Sequence, residues 1–474
     1  MNELTIEFSD DNGKHLYEQI YEYIKREIVE GRLRQQEKLP STRSLSLYLE
    51  VSRSTVSLAY EQLLAEGYIE SRQGSGYYVS KIDELYQVPF KEQGKPIADE
   101  GMQKIRYAYD FSPMAVDLQE FPYATWRKIS KEVLNQSESE LFFHGDFQGE
   151  ASLREVIREY LHASRGVNCK VEQIVIGAGN DYLLMLLQLL FAKEHIVAFE
   201  NPTYVKAYRN FVTMGYTVKT VDMDQYGMRM DALRESQATI AYVMPSHQYP
   251  TGIVMPIGRR IELLKWAMEQ EGRYIIEDDY DSEFRYRGKP VPSLQSSDTM
   301  GKVIYLGTFS KAIAPAIRVS YMVLPTELMK QYKKEGSFLS STVPRMDQRI
   351  LFSFLKEGCF ERYLNRMRKV YRMKHDILLN ALKPFEKLFT ISGEDAGLHI
   401  LLQSKSDISE EELVKKAKEK GVKVYGLSEY EILQKGEKGK ATIILGYAGL
   451  KEREIVNGME RLQEAWLKEN SLFS

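Results

Sequence analysis

Short apolar segments alternate with amphipathic, helix-forming segments from about residue 109 onward, and this alternation constrains the fold more than any other feature. Two parallel strands need a long crossover connection, so the alternation predicts a mostly parallel β-sheet flanked by helices. The last part, 345–474, mixes both patterns and predicts a smaller α+β lobe. The apolar segments that we interpret as strands span 173–177, 196–200, 239–244, 274–277 and 303–307.

Length and composition narrow the class of protein. The 474 residues exceed a typical domain, which predicts at least two domains. A net charge of −3 excludes a global basic surface, so a nucleic-acid partner needs local positive charge. Two cysteines cannot form a disulfide framework, residues 1–10 lack a signal-peptide pattern, and the apolar run 182–192 is too short for a bilayer. We therefore expect a cytoplasmic protein with no membrane partner.

Residues 10–80 form a separate segment that is rich in Ser and Arg. A first helix is predicted to end near Gly31, Ser41 is placed to cap a second, and a third is predicted over 53–66 after a tight turn. The third helix begins with small polar and basic residues, so its N-terminus can approach the major groove closely. Residues 67–79 predict a hairpin with a glycine tip. The whole segment predicts a winged helix-turn-helix.

The charge of this segment supports DNA binding. Between Gly31 and Ser57, five basic and two acidic side chains give a local charge of +3 in a chain that is acidic overall. A small helical bundle with a solvated basic face would show the same count, and the ordered combination of helices and hairpin favours a DNA-binding domain. The next segment, 81–108, is polar and interrupted by Pro and Gly, and it predicts a linker.

The N-terminal segment resembles the winged-helix domain of GntR-type bacterial transcription regulators. The resemblance rests on several blocks in order, among them Lys38-Leu-Pro-Ser-Thr-Arg43, Val51-Ser-Arg-Ser-Thr-Val56 and Gly74-Ser-Gly76. It departs mildly at Thr42, where the family usually has an acidic residue. The residues that the resemblance assigns to operator DNA are Ser41, Arg43, Ser52, Arg53, Ser54, Thr55, Arg72 and Gly74.

A lysine stands just beyond the predicted strand 303–307, beside two hydroxyl residues. The amine of Lys311 suits a Schiff base with an aldehyde phosphate, because it follows a strand end, stands beside hydroxyls and is followed by an arginine. Thr308, Ser310 and Arg318 would then hold the phosphate, since arginine offers a planar fork of donors. Taken alone, a Ser-Lys pair is as well explained by a solvated surface lysine.

An acidic cluster ends the predicted strand 274–277. A carboxylate at this position would pair with a protonated pyridine nitrogen and keep the ring an electron sink. We assign this role to Asp278 and place Tyr280 near the ring hydroxyl. The cluster could instead cap a helix or bind a metal, but no His or Cys lies nearby at ligand spacing, so no metal site is predicted.

Two weaker signals complete the pattern. A glycine-rich turn after the strand 173–177 presents the backbone of Ala178, Gly179 and Asn180 to a phosphate, although a plain tight turn would look the same. Tyr204 offers an aromatic face to stack on a ring, although a core tyrosine would also fit.

These four signals in order resemble a fold-type I, class I aminotransferase domain over 109–474. Such domains bind pyridoxal 5′-phosphate (PLP) and pair as homodimers with sites at the subunit interface. A winged helix, a linker and this domain together resemble the MocR subfamily of GntR regulators. The implied fold is multidomain: an α+β winged helix-turn-helix domain over 10–80, a linker over 81–108, and an α/β aminotransferase-like domain with a smaller α+β lobe over 109–474.

Three positions depart from the aminotransferase pattern. Tyr249 replaces an asparagine that bonds the ring hydroxyl, so either Gln248 or Tyr249 substitutes for it or the contact is lost. His144 replaces a tyrosine that reaches the partner subunit's phosphate. Ile444 stands where an arginine would bind the substrate carboxylate, and losing that charge-assisted pair costs roughly 1.5–3 kcal/mol per hydrogen bond. Lys206 or Arg209 would have to supply another cation.

The implied function is a PLP-dependent transcription regulator that senses a small amine, or PLP itself, and binds operator DNA as a homodimer. One alternative is an active aminotransferase with an appended DNA-binding module, and Ile444 argues against ordinary turnover beyond a weak half-reaction. Another is a regulator whose second domain has lost the cofactor. The joint presence of Lys311, Asp278 and Arg318 argues against that alternative.

Overall fold

The computed structural model describes residues 6, 8, 14–81, 107–136, 139–286, 288, 290–433 and 440–467. The chain divides into two compact units, Met1–Lys104 and Ile105–Ser474. Most of the predicted linker, 82–106, lies outside the described residues.

In its described residues, the N-terminal unit contains three helices and a two-stranded antiparallel hairpin, which confirms the predicted winged helix-turn-helix. Its core is formed by Ile20 and Ile24 of the first helix and by Val56, Tyr60 and Leu63 of the third, all completely buried. Gly31 follows the first helix with a φ of +73°, as expected for a residue just beyond a helix end. The elements are α1 Leu16–Val29, α2 Thr42–Tyr48, α3 Arg53–Ala65, β1 Ile69–Arg72 and β2 Gly76–Val79.

The second unit contains an eight-stranded mixed sheet in the order β4-β11-β10-β9-β8-β5-β6-β7. Its centre is parallel, as predicted, and all five predicted strands are present. Successive side chains alternate between the two faces, so Ile304 and Tyr305 enter different apolar clusters. The strands are β3 Tyr109–Asp110, β4 Ile174–Gly177, β5 Ile196–Asn201, β6 Thr217–Asp224, β7 Gly227–Met228, β8 Ile240–Val243, β9 Tyr274–Asp279, β10 Val303–Thr308 and β11 Ser320–Val323.

Helices cover both faces of this sheet. The helix after β4 is short, because its α-helical part ends at Leu186 and a 3-10 turn, Leu187–Leu189, follows it. The helices are α4 Tyr123–Gln136, α5 Ala151–Arg165, α6 Asn180–Leu186, α7 Val205–Thr213, α8 Met230–Glu235, α9 Ile257–Met268, α10 Phe309–Ala312, α11 Thr326–Gly336, α12 Arg345–Lys356 and α13 Cys359–Leu382.

The predicted smaller α+β lobe is also present. A four-stranded antiparallel sheet in the order β12-β13-β16-β15 packs against two further helices and the end of α13 around a separate apolar cluster. The strand β3 pairs in parallel with β14, so the start of this unit joins the smaller lobe. The elements are β12 Phe389–Ser392, β13 His399–Ser404, α14 Glu410–Glu419, β14 Val422–Lys423, β15 Tyr425–Gly426, β16 Thr442–Gly446 and α15 Glu452–Trp466.

No helix in the described ranges combines the length and the apolar character needed to cross a bilayer.

Candidate functional sites

A cavity of about 310 Å³ lies where the central parallel strands end. The carboxyl ends of parallel strands meet at one edge of a sheet, so residues distant in sequence come together there. Each strand β4, β5, β8, β9 and β10 is followed by lining residues. The lining includes Met114, Asn180, Asp181, Tyr204, Lys206, Met244, Tyr249, Asp278, Tyr280, Thr308, Ser310, Lys311, Pro315, Arg318 and Ser320.

Lys311 lies on the short helix α10, directly after β10, and is only 7% exposed. Its Nζ atom donates a hydrogen bond to the Pro113 carbonyl at 2.8 Å. Burial lowers the pKa of Lys311 to about 8, and the charge of Asp281 partly opposes that effect. A neutral amine is the nucleophilic form, and a depressed pKa makes that form more abundant near neutral pH. The alternative of a solvated surface lysine is therefore wrong.

Asp278 lies near the end of β9 and is held by two donors from other elements. The Asn180 Nδ2 atom donates to Asp278 Oδ1 at 3.0 Å, and the Tyr242 hydroxyl donates to Oδ2. Burial raises the pKa of Asp278 to about 7 despite these two hydrogen bonds. A cation placed beside the carboxylate would favour its charged form. Among the described residues, no group of three or more His, Cys, Asp or Glu side chains could hold a metal ion.

Hydroxyl groups and one guanidinium form the opposite part of the lining. Thr308 caps α10, and its Oγ1 atom accepts hydrogen bonds from the Ser310 N–H at 3.1 Å and the Ser320 hydroxyl at 2.8 Å. The Ser310 Oγ atom is buried and has no hydrogen-bond partner within the described part of the chain. Arg318 is about half exposed and donates to the Ala178 carbonyl at 3.0 Å. The Ser310 hydroxyl and the Arg318 guanidinium, which also pairs with Asp181 at 3.4 Å, can donate to an anion such as a phosphate.

The glycine-rich turn has a steric role. Gly179 has a φ of +99°, and a Cβ atom there would lie 2.1 Å from Arg318 Nη2. The turn therefore makes room for the guanidinium. The Ala178 N–H donates to Thr342 Oγ1 at 3.0 Å and the Gly179 N–H to the Gly177 carbonyl at 2.8 Å. Phosphate binding by these backbone groups stays a prediction.

Aromatic residues complete the wall. Tyr204 directly precedes α7 and packs edge-on against Tyr249, with ring centroids 6.1 Å apart. Tyr280 lines the cavity, and its hydroxyl lies 2.9 Å from His247 Nδ1. Sequence reasoning missed the contacts made by Tyr242 and His247. A buried tyrosine in a central strand needs a polar partner, and that requirement was the available signal for Tyr242.

The three positions that depart from the aminotransferase pattern lie in different environments. Tyr249 is 2% exposed and lines the cavity, whereas His144 is exposed. Ile444 is fully buried in β16 and is not among the residues that line the cavity. Of the two cations considered as substitutes, Lys206 lines the cavity and Arg209 does not.

The predicted DNA-binding residues of α2 and α3 fall into two groups. Ser41 and Ser52 cap the two helices, because their Oγ atoms accept hydrogen bonds from the Ser44 and Thr55 N–H groups at 3.1 Å. Arg43 and Arg53, in contrast, are exposed. Their side chains make no hydrogen bond or ion pair in the regions that the structure covers. They are therefore available to a partner.

The remaining predicted contacts lie beside the second cap and in the hairpin. The Ser52 Oγ atom lies 2.7 Å from both Ser54 Oγ and Thr55 Oγ1, so these three hydroxyls form one group. Arg72 donates to Glu70 at 2.9 Å and lies over the Tyr78 ring at 4.3 Å. Gly74 occupies the hairpin turn with a φ of +72°. The structure thus exposes the predicted surface, and DNA contact by these residues stays a prediction.

Comparisons with known proteins agree with this architecture. Residues 115–462 match the family described as "Aminotransferase class I and II", and residues 16–79 match "Bacterial regulatory proteins, gntR family". The fold resembles the crystal structure of the kynurenine aminotransferase of Pyrococcus horikoshii in complex with PMP. That likeness has a TM-score of 0.68 at 25% identity and covers 77% of this chain and 92% of that chain.

Two relatives match over nearly the whole length. The uncharacterized HTH-type transcriptional regulator YdeL of Bacillus subtilis is 41% identical over 452 residues, which cover 95% of this chain and 96% of the relative. The probable rhizopine catabolism regulatory protein MocR of Rhizobium meliloti is 31% identical and covers 95% of this chain and 94% of the relative. The chain therefore belongs to the MocR subfamily of GntR-type transcriptional regulators, in which a DNA-binding helix-turn-helix domain precedes a class I aminotransferase-like domain.

Proposed function

We propose that the chain is a PLP-dependent transcription regulator. Residues 10–80 bind operator DNA, 81–108 link the two domains, and 109–474 bind PLP and respond to a small amine or to PLP itself. One observation carries the proposal: the buried Lys311 amine, the Asp278 carboxylate and a set of anion-binding side chains all line one cavity.

The residues of the cavity fit the chemical groups of PLP. The buried Ser310 hydroxyl without a partner in the described residues supports a phosphate acceptor next to Thr308 and Arg318. Within the described ranges no cationic side chain pairs with Asp278, and a protonated ring nitrogen would supply a cation. PLP, when bound, supplies an aldehyde that combines reversibly with primary amines and a ring that withdraws electrons.

Different residues of the chain would bind different parts of PLP. Lys311 supplies a buried amine with a lowered pKa of about 8. Asp278, oriented by Asn180 and Tyr242, would hold a proton on the ring nitrogen. Tyr280 would face the ring hydroxyl, and Tyr204 would pack beside the ring. Ala178, Gly179 and Asn180 complete the cofactor-binding set that we propose, chiefly by placing Arg318 and Asp278.

The position of Ile444 favours a sensor over an efficient aminotransferase. Among the described residues that line the cavity, Arg318 is the only arginine, and we assign it to the phosphate. A second arginine for a substrate carboxylate is therefore lacking from this lining. Lys206 remains as a point charge, which cannot reproduce a bidentate pair. Measurable turnover of an amino donor with a 2-oxo acid would instead support the alternative of an active enzyme.

Operator binding would follow from two copies of the N-terminal unit in a homodimer that acts in the cytoplasm. Exposed Arg43 and Arg53 are available for phosphate or base contacts. A ligand that favours one of two dimer conformations would change the spacing of the two N-terminal units. That change would alter the affinity for paired half-sites in the operator DNA.

Reduction with borohydride tests the proposal directly. We expect PLP-treated, reduced protein to carry a pyridoxyl group on the peptide that contains Lys311, and Lys311→Ala to carry none. The other lysines of the same digest serve as internal controls for non-specific labelling. Labelling that is spread evenly over exposed lysines, and that persists in Lys311→Ala, would refute the proposed site.

A further inference from the structure

A buried pair of residues beside Tyr280 has no role in the function described so far. His247 and Asp281 are each 2% exposed at the side chain, and His247 Nδ1 lies 2.9 Å from Asp281 Oδ2. The same Nδ1 atom lies 2.9 Å from the Tyr280 hydroxyl. A single ring nitrogen therefore contacts both a buried carboxylate and a hydroxyl of the cavity wall.

The carboxylate decides which ring nitrogen of His247 carries the proton. An ionised Asp281 only accepts hydrogen bonds, so Nδ1 carries a proton and donates it to the carboxylate. A protonated Nδ1 cannot accept the Tyr280 proton, and the phenol oxygen is then a second acceptor of the same N–H. Burial and the charge of Asp281 raise the pKa of Tyr280 well above its ordinary value, and the hydroxyl also hydrogen-bonds to that carboxylate. The His247 N–H competes for the same carboxylate, so it leaves the Tyr280 proton to an acceptor in the cavity.

The other side of the His247 ring meets no acceptor. Its Nε2 atom is buried and has no hydrogen-bond partner among the residues that the structure describes. Burial of an unpaired N–H is unfavourable, so the geometry favours the tautomer whose proton is on Nδ1. Gly397, with a φ of +79°, covers the ring so closely that a Cβ atom would lie 2.0 Å from Cε1. The ring is thus confined between Gly397 and the Asp281 carboxylate.

We propose that His247, oriented by Asp281, is a positioning residue that keeps the Tyr280 hydroxyl available as a donor toward the cavity. The inference rests on the proposed function, in which Tyr280 faces the ring hydroxyl of PLP. His247 is not among the residues that line the cavity, so its effect passes through Tyr280.

The test compares variants of the full chain by two measurements, the dissociation constant for PLP and the midpoint pH of the absorbance change of bound PLP. Tyr280→Phe removes one hydrogen bond and should weaken PLP binding about tenfold. His247→Phe should shift the dissociation constant and the midpoint pH in the same direction as Tyr280→Phe does. His247→Asn keeps a donor near the Nδ1 position and should stay close to the wild type. The double variant should bind PLP no more weakly than Tyr280→Phe alone.

A second buried histidine provides a matched control. His375 is 5% exposed, its Nδ1 atom lies 3.3 Å from Asp376, and its ring stacks on Tyr286, but it does not line the cavity. His375→Phe should leave PLP affinity and the spectral midpoint unchanged. Asp281→Asn, which is nearly isosteric, should weaken PLP binding as His247→Phe does and serves in its place if that variant does not fold. Only its PLP affinity is compared, because the charge of Asp281 also acts on Lys311.

The outcomes separate this inference from the function on which it rests. Wild-type protein that takes up no PLP overturns both. Normal uptake by the wild type together with unchanged values for His247→Phe and Asp281→Asn overturns the role of His247 alone. The role of His247 would also be overturned if the losses of PLP affinity in His247→Phe and Tyr280→Phe added fully in the double variant. Equal losses of PLP affinity in His247→Asn and His247→Phe would overturn it as well.

Discussion

The two units of this chain place their predicted functional residues in opposite ways. In the N-terminal unit, the residues assigned to DNA lie within a short stretch of sequence, on the surface, and are set by local caps such as Ser41 and Ser52. In the second unit, Asn180, Asp278 and Lys311 come from the ends of different strands and are buried together. Local hydrogen bonds position the first group, and the register of a large sheet positions the second.

This difference indicates how each region should respond to substitution. An exposed arginine without an intramolecular partner contributes to binding and little to folding, so its loss should be confined to DNA affinity. A buried carboxylate or glycine of the cavity is coupled to its neighbours, so its substitution should affect several groups at once. The following variants test that contrast.

Asp278→Asn should have the largest effect. The amide keeps the shape of the side chain but loses the charge that would pair with a ring nitrogen, which should cost about 2–5 kcal/mol of PLP binding free energy. Titration of PLP absorbance measures the loss. Glu277→Gln is the control, because Glu277 is equally buried but accepts hydrogen bonds from the Leu294 and Gln295 N–H groups instead of lining the cavity. Similar losses in both variants would contradict a specific role for Asp278.

Gly179→Ala should weaken PLP binding by roughly 1–3 kcal/mol, because the new Cβ displaces Arg318 and the backbone is strained at positive φ. Gly215→Ala separates these causes. Gly215 has a φ of +83° but open space around its Cβ position, so its substitution strains the backbone without moving a site residue. It should lower stability and leave PLP affinity unchanged. A loss of PLP affinity in Gly215→Ala as large as in Gly179→Ala would show that Arg318 is not the cause.

The sequence was sufficient where short-range rules apply. Alternating apolar segments predicted the five central strands, and the spacing of Ser41 to the next helix predicted a cap that the structure confirms. Lys311 could be assigned to a strand end because its strand was evident. The order of strands in the sheet was not predictable from periodicity, since it depends on tertiary packing.

What sequence reasoning missed depends on that sheet order. The Tyr242–Asp278 bond joins two strands that are adjacent only because β8 and β9 pair in parallel. The steric role of Gly179 likewise follows from the left-handed conformation of Arg318, which brings the guanidinium back over the turn. Neither contact has a spacing rule, because the partners are brought together by the fold as a whole.

Arg53→Ala should reduce operator affinity by about 1–3 kcal/mol if Arg53 contacts a base edge. Arg72→Ala should have a smaller effect, because Arg72 already pairs with Glu70 and stacks on Tyr78, and DNA would have to compete with these contacts. Fluorescence anisotropy on the native upstream DNA, at several salt concentrations, measures both. A larger loss for Arg72→Ala would reverse the ranking and place the hairpin at the centre of the interface.

Ser52→Ala should have the smallest effect, and its main consequence should be on folding. Loss of an N-cap hydroxyl costs about 0.5–2 kcal/mol, and here it also releases Ser54 and Thr55 from a shared hydrogen-bonded group. Faster hydrogen exchange of the Arg53–Ala65 amides should report the loss.

Ser52→Asn and Ser52→Asp separate capping from DNA contact, because both side chains cap helices well. If Ser52 acts only as a cap, Ser52→Asn should restore both slow exchange and operator affinity. If its hydroxyl also lies against a phosphate, Ser52→Asp should restore slow exchange but bind DNA more weakly than Ser52→Asn, since a carboxylate repels the backbone. The second result would make Ser52 a residue in which local folding and DNA recognition depend on the same atom, and would weaken the contrast between the two units.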